Sequence, residues 1–375
     1  MRIAVIGAGI SGLTAAAGLQ RSGHDVVIFE RREDPSPVGA GLTLFDNAFE
    51  ALDLIGLGDG VRAVSSEALR DLRSGFRDPS GRWLLAVPER SVAAMRSVHR
   101  VNLHRALAGR LEPGTLRTGA AAAVPQDGSA RVTVGERTEE FDLVVGADGI
   151  RSRARQTLGL DTGLRYAGCT AWRGVTAEPV DLDGAAGETI GRGRIFGSVP
   201  LPDGRVYWYA TLNAPADAVF RNEGDTLRIK FGRWHESVRR CIDATPADSV
   251  MRHDIYDLAK PLRSFVHGRV VLMGDAAHAM TPNLGQGAGQ GIEDAATLVH
   301  LLRDAAPSGI DAALERYCAL RQPRTSAVMR RSRAAGAAVQ AAGALTAGLR
   351  TAALRLLPGP VMGRMSRRLL VWPEP

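Results

Sequence analysis

Apolar residues first gather in a four-residue run, Ile3-Ala4-Val5-Ile6. It passes without a polar break into Gly7-Ala8-Gly9-Ile10-Ser11-Gly12 and then into an alanine-rich stretch from Leu13 to Leu19. The pattern predicts a short buried strand, a glycine turn and a helix. A second apolar run, Val26-Val27-Ile28-Phe29, ends at Glu30, eighteen residues after Gly12. Two later runs repeat the strand-then-turn pattern. Residues 142–146 lead into Ala147-Asp148-Gly149 with Ser152 and Arg155 downstream, and residues 269–273 lead into Gly274-Asp275 and then a glycine-rich loop, residues 284–291. Between them, residues 166–175, 194–200 and 205–212 read as strands, and Pro202-Asp203-Gly204 turns the last two into a hairpin. Period-two alternation sets Tyr207, Tyr209 and Thr211 on one face of it and Val206, Trp208 and Leu212 on the other.

The first turn makes a specific physical demand. Gly7 permits the tight bend, Gly9 lets bare N–H groups approach a pyrophosphate, and Gly12 lets the helix pack closely on the strand. The Glu30 carboxylate, at the end of the second strand, suits the two hydroxyls of an unphosphorylated adenosine ribose. That combination fits FAD or NAD at this site and disfavours NADP. A G-x-G-x-x-G alone is weak evidence; the strand, helix and terminal acid in register give it weight.

Composition narrows the class. The 375 residues carry a formal net charge of +7, yet residues 331–375 hold seven arginines (331, 333, 350, 355, 364, 367, 368) against Glu374 alone. The rest is nearly neutral, which argues against a nucleic-acid partner. Cys169, Cys241 and Cys318 lie far apart with no metal-ligand spacing, as expected of reduced thiols in the cytoplasm, and no metal is expected. No uninterrupted apolar stretch approaches the ~18–20 residues of a spanning helix. The opening apolar run continues into a βαβ pattern with no cleavage site, so it belongs to the fold.

The three motifs, in this order and at these spacings, resemble the flavoprotein aromatic hydroxylase family, the group of para-hydroxybenzoate, salicylate and urate hydroxylases. The resemblance covers roughly residues 1–320. It implies an α/β chain: a Rossmann-like FAD-binding domain (1–69, 97–162, 263–330), an inserted mixed β-sheet substrate domain (70–96, 163–262), and a C-terminal basic helical segment (331–375). It assigns Gly7, Gly9, Ser11, Gly12, Glu30, Arg31, Arg100, Ala122, Asp148, Gly149, Gly274 and Asp275 to the cofactor. Asp275 would bond the ribitol chain. Gly41 and Thr43, within the 38–44 loop, would pass beside the flavin ring, and Gly285, Gly287, Ala288 and Gly289 would meet it from the other side. Many relatives carry asparagine where Gly289 stands, so contacts there would run through backbone or water.

The resemblance further implies a monooxygenase in which transiently bound NADPH or NADH reduces FAD and oxygen passes from a flavin hydroperoxide to a small aromatic or conjugated substrate. Pro282 would wall the oxygen side, and Tyr207 and Arg194 would contact the substrate. Trp172, Phe196, Tyr207, Trp208 and Tyr209, with Arg173 and Arg194 nearby, either hold a flat substrate or form the domain's own core. His278 is expected to be structural. Two other functions stay open: an FAD-dependent reductase without oxygen transfer, which oxygen uptake would separate, and a non-catalytic FAD-stabilised binding protein, marked by flavin that NAD(P)H does not bleach. A monomer or homodimer is expected. At the end of the chain, Leu345, Leu349, Ala352 and Leu356 recur at helical spacing before Pro358-Gly359-Pro360. Packing of this helix on its own domain, charged face outward, is expected ahead of docking on a membrane surface.

Overall fold

β-branched and other apolar residues buried on both faces make the first runs into central parallel strands. In the computed structural model, which describes residues 1–35, 40–87, 95–359, 370–373 and 375, Arg2–Ile6 pairs in parallel with Asp25–Phe29 on one side and Leu143–Gly146 on the other. The six-stranded sheet is completed by Val270–Leu272 and Val266–His267 beyond Leu143–Gly146, and by Leu116–Arg117 beyond Asp25–Phe29. Strands far apart in sequence are therefore neighbours, and all three motif turns leave the same end of adjacent strands. The Ile10–Arg21 helix lies against the Gly287–Leu302 helix, with Gly18 facing Val299 so closely that a Cβ there would stand 2.8 Å from Val299 Cγ2.

A second sheet of seven strands has the order 251–258, 164–175, 206–213, 194–200, 187–190, 75–77, 83–86. The Arg194–Pro200 and Val206–Asn213 strands form the expected hairpin, paired Val199 to Tyr207 and Arg194 to Leu212. Trp172, Phe196, Val206, Trp208 and Ala210 bury one face of it against Leu227, Phe231, Val238 and Ile242 of two helices, Glu223–Phe231 and Glu236–Asp243. Trp172, Phe196 and Trp208 are thus the domain's own core. In a small sheet Gly41–Leu44 and Ser65–Ser66 both pair with Arg96–His99, and Ser97 ties it to the second sheet by donating to the Pro200 carbonyl.

The 30-residue Ile310–Val339 helix runs unbroken through position 331, so the boundary expected there falls inside one element. It carries Arg321, 1% exposed, into the interior. There Nε donates to Asp294 Oδ1 at 2.7 Å, one terminal nitrogen donates to Glu293, and the other reaches Gln290 O at 3.0 Å. Asp294 Oδ2 also accepts from the Gly274 N–H at 2.8 Å and from His278 Nε2 at 2.5 Å. Arg324 pairs with Glu293 from the next turn. Burial pushes the Asp294 carboxyl up, but His278, Arg321 and the Gly274 N–H outweigh it and hold the group at about 2.

Because that folded value lies below the ~3.9 of an unfolded aspartate, Asp294 adds stability that is complete above roughly pH 4–5 and is lost as pH falls toward ~2. Asp294→Asn should therefore flatten the fall in urea midpoint across that acid range while lowering the midpoint at neutral pH. An unchanged acid slope would place the acid-sensitive group elsewhere.

Candidate functional site

At the first turn the backbone does most of the work. Gly7 has φ +104° and lies so close to the Ala147 carbonyl that a Cβ would stand 2.5 Å from it, which fastens the first motif to the second. Gly12 faces the Gly7 carbonyl as closely. Gly9 and Gly149 border open space instead, since a Cβ on either would meet no atom within 4 Å. Glycine at those two positions is not required by side-chain packing; it leaves the N–H groups bare. The Ile10–Arg21 helix has no side-chain cap at its start, and the Glu30 carboxylate lies over the turn, accepting from Ala8 N–H and Arg32 N–H at 2.9 Å each. Arg31 is exposed beside it. The segment leading to Ala122 runs alongside, with the Ala120 N–H donating to the Glu30 carbonyl at 2.8 Å.

The third motif closes on the first. Gly274, at φ +58°, and Gly291 both press on the Ser11 side chain with no room for a Cβ. Asp275 follows, exposed and making none of the hydrogen bonds or ion pairs found among the described residues. Pro282 is exposed in a one-turn helix, Pro282–Leu284, which ends at left-handed Gly285 (φ +64°). Ser332 anchors this loop by donating to the Thr281 carbonyl at 2.6 Å. Beyond it the Gly287–Leu302 helix starts without a side-chain cap, through Gly287, Ala288 and Gly289, and a Cβ at Gly287 would again meet nothing. Two uncapped helix starts, bare glycines and a free carboxylate fit a dinucleotide whose pyrophosphate and ring system need backbone donors.

Asp148 Oδ2 accepts from the Arg153 and Ala154 N–H groups at 2.8 and 3.1 Å, capping the short Arg153–Thr157 helix, while its buried Oδ1 has no partner among the described residues. Buried Arg155 then ties this helix to the third motif through the Ala276 carbonyl at 3.0 Å. His278 is buried on Asp294, a structural place in accord with its sequence reading.

The facing wall comes from the second sheet. Tyr207 lies against the Gly41 backbone, where a Cβ would stand 2.5 Å from its ring, so the Gly41–Leu44 strand, carrying Thr43, packs on the hairpin. Val38 and Gly39 of the same loop lie outside the described residues. Arg173 donates to the Tyr207 hydroxyl at 2.7 Å, and the Tyr209 hydroxyl donates to Glu188. Tyr209 leans across Gly197 to do so, because a side chain at 197 would occupy its ring. Burial raises the Glu188 carboxyl above the usual carboxylate range, partly offset by that hydrogen bond. Exposed Arg100, whose N–H donates to the Ala40 carbonyl at 2.8 Å, completes a cationic cleft with Arg173; burial and these arginines lower the pKa of His253, so it is neutral near pH 7.

Arg194 is corrected by this geometry. It pairs with Leu212 and so shares the Trp208 face, where its guanidinium lies over Trp234 and donates to the Lys230 carbonyl at 2.5 Å. One residue of strand register decides the matter, and Arg173 takes the place on the Tyr207 face. Glu188 was missed altogether; only its pairing with Gly197, opposite Tyr209, reveals it. The Asp294–Arg321 hub was missed too, although adjacent acids Glu293 and Asp294 inside an otherwise apolar helix were a visible signal.

The sequence matches the model of the FAD binding domain family over residues 1–332. It is 35% identical to the aurachin C monooxygenase/isomerase of Stigmatella aurantiaca, over 99% of this chain and 98% of that protein. It is 36% identical to the 3-amino-4-hydroxybenzoate 2-monooxygenase of Streptomyces cremeus, over 89% and 86%. The crystal structure of Klebsiella pneumoniae HpxO complexed with FAD and uric acid superposes with a TM-score of 0.89 at 26% identity, covering 99% of this chain and 96% of that one. The chain belongs to the FAD binding domain family and is an FAD-dependent flavoprotein monooxygenase.

Proposed function

We propose that this monooxygenase oxygenates a planar aromatic or conjugated molecule held between the cofactor and the Arg173–Tyr207–Tyr209–Glu188 face of the second sheet. The observation that carries the reading is the position of that polar row. It lies on the sheet face opposite the aromatic core, the face on which Tyr207 meets the Gly41 backbone. The aminohydroxybenzoate and uric acid named for two relatives are likewise planar rings with polar substituents.

Bound FAD, once reduced by NADH or NADPH, supplies the activation of dioxygen; the chain's residues supply position and proton control. Gly7, Gly9, Gly12 and the Ile10–Arg21 helix start would hold the pyrophosphate, Glu30 the adenosine ribose, and Asp275 the ribitol. The Gly287–Gly289 helix start would place its positive end at the ring, where negative charge develops on reduction. Arg173, held in place by the Tyr207 hydroxyl, would bind an anionic or carbonyl oxygen of the substrate. Glu188 Oε2, which has no partner among the described residues, would take a proton or hydrogen bond from a substrate O–H or N–H, with Tyr209 fixing the carboxylate's orientation. Withdrawing that proton makes the ring more electron-rich and readier to accept oxygen. Pro282 and its anchored loop would close the oxygen side to water.

A screen of candidate ring compounds for accelerated NAD(P)H oxidation, with product analysed after reaction under labelled dioxygen, tests the reading. One labelled oxygen atom per turnover is expected, and turnover that yields only hydrogen peroxide with every compound would count against it. Arg173→Met should raise KM by about tenfold or more at unchanged flavin content, the loss of a charge-assisted hydrogen bond. For a substrate with an ionisable O–H, kcat/KM should fall as pH drops through the raised Glu188 pKa, because the protonated carboxyl accepts no proton. Glu188→Gln should remove that acid limb, and an identical pH profile in the variant would exclude the role.

A further inference from the structure

The Ala344–Leu356 helix is inside out. It packs beside the Trp83–Ala86 strand, and toward the protein it presents buried Ala347, half-buried Leu354 and Thr351, and Arg350, whose guanidinium donates to the Val339 carbonyl at 2.8 Å. At 100° per residue, Leu345, Gly348, Leu349, Ala352, Ala353 and Leu356 fall on the opposite side, and all six are exposed. The three leucines are 83%, 71% and 81% exposed, among the largest exposed apolar side chains described. This overturns the expectation of a helix packed by its leucines with a charged face outward. Its outward stripe holds no charge at all.

We infer that this stripe docks the protein on an anionic phospholipid surface. A continuous apolar stripe on one helix is the form in which a chain lies in the interface of a bilayer without crossing it, and no described helix is long and apolar enough to cross. The charge around the stripe selects the occupant. Exposed Arg192, bonded to the Ala342 carbonyl at 3.0 Å, flanks its start; at its end exposed Arg355, 3.8 Å from Asp78, and exposed Arg82 share that one carboxylate, which leaves an excess of positive charge. Of the seven arginines in residues 331–375, Arg333 is paired with buried Asp257 and Arg350 turns to backbone carbonyls, so neither adds to the charge around the stripe. A second copy of the chain would bring that same positive field against itself, whereas an anionic surface meets it with opposite charge while burying the leucines. Positions 364, 367 and 368 lie outside the described residues.

The test is co-sedimentation of the full-length holoenzyme with vesicles of phosphatidylcholine alone and of phosphatidylcholine mixed with phosphatidylglycerol. Mixed vesicles should pellet the protein, neutral ones far less, and added salt should weaken the binding. The variant L345S/L349S/L356S keeps every charge and touches nothing in the cofactor or substrate site. It should lose about tenfold or more in vesicle partition, given three leucines no longer buried, with FAD per chain unchanged. Wild-type protein that stays in the supernatant would overturn the inference. So would a variant that pellets as well as wild type, or light scattering that shows a wild-type dimer and a monomeric variant, since a second copy would then cover the stripe.

Discussion

Asp294 is where the cofactor half of the molecule is held together. One buried carboxylate accepts from the Gly274 N–H, from His278 and from Arg321, and these three donors come from a motif turn, a short helix and the long Ile310–Val339 helix. A buried carboxylate without such partners would cost several kcal/mol. The elements that bring the partners are therefore bound to one arrangement. Gly274 is thereby fixed at its positive φ, Asp275 beyond it stands out toward the cleft, and the helix that bears Asp294 begins at the bare Gly287. The polar groups that would hold the cofactor are thus oriented from behind by a network centred on side chains shielded from solvent.

Close backbone approach does the rest. Gly7 against Ala147, and Ser11 against Gly274 and Gly291, join segments more than a hundred residues apart at distances that admit no side chain. The same economy of volume recurs across the cleft, where Gly41 admits the Tyr207 ring and Gly197 admits Tyr209. Glycines of the first group build a cradle, and those of the second bring two tyrosines over the space proposed for the substrate. Electrostatics divides along the same line. The cradle presents helix starts and N–H groups that would suit phosphate, while Arg173 and Glu188 sit at opposite ends of the tyrosine pair and would orient a ring with an acceptor at one edge and a donor at the other.

The C-terminal helix follows a different rule. Its arginine turns inward to backbone carbonyls and its leucines outward, an arrangement that leaves apolar area in water unless something covers it.

By itself the sequence determined the strand–turn–helix units, a site for FAD or NAD at the first turn, the hairpin at Pro202-Asp203-Gly204 and the division of its residues into Tyr207 and Trp208 faces. All of these follow from local periodicity, from turn chemistry or from motif spacing, which a linear string carries directly. It did not determine which arginine shares the Tyr207 face, that Asp148 caps a helix, that Glu188 meets Tyr209, or which way the last helix turns its leucines. Those depend on strand register and on which element packs against which. A shift of one residue in register exchanges the faces of a strand, and a helix shows the same periodicity whichever side it presents to the protein, so only the folded chain could decide them.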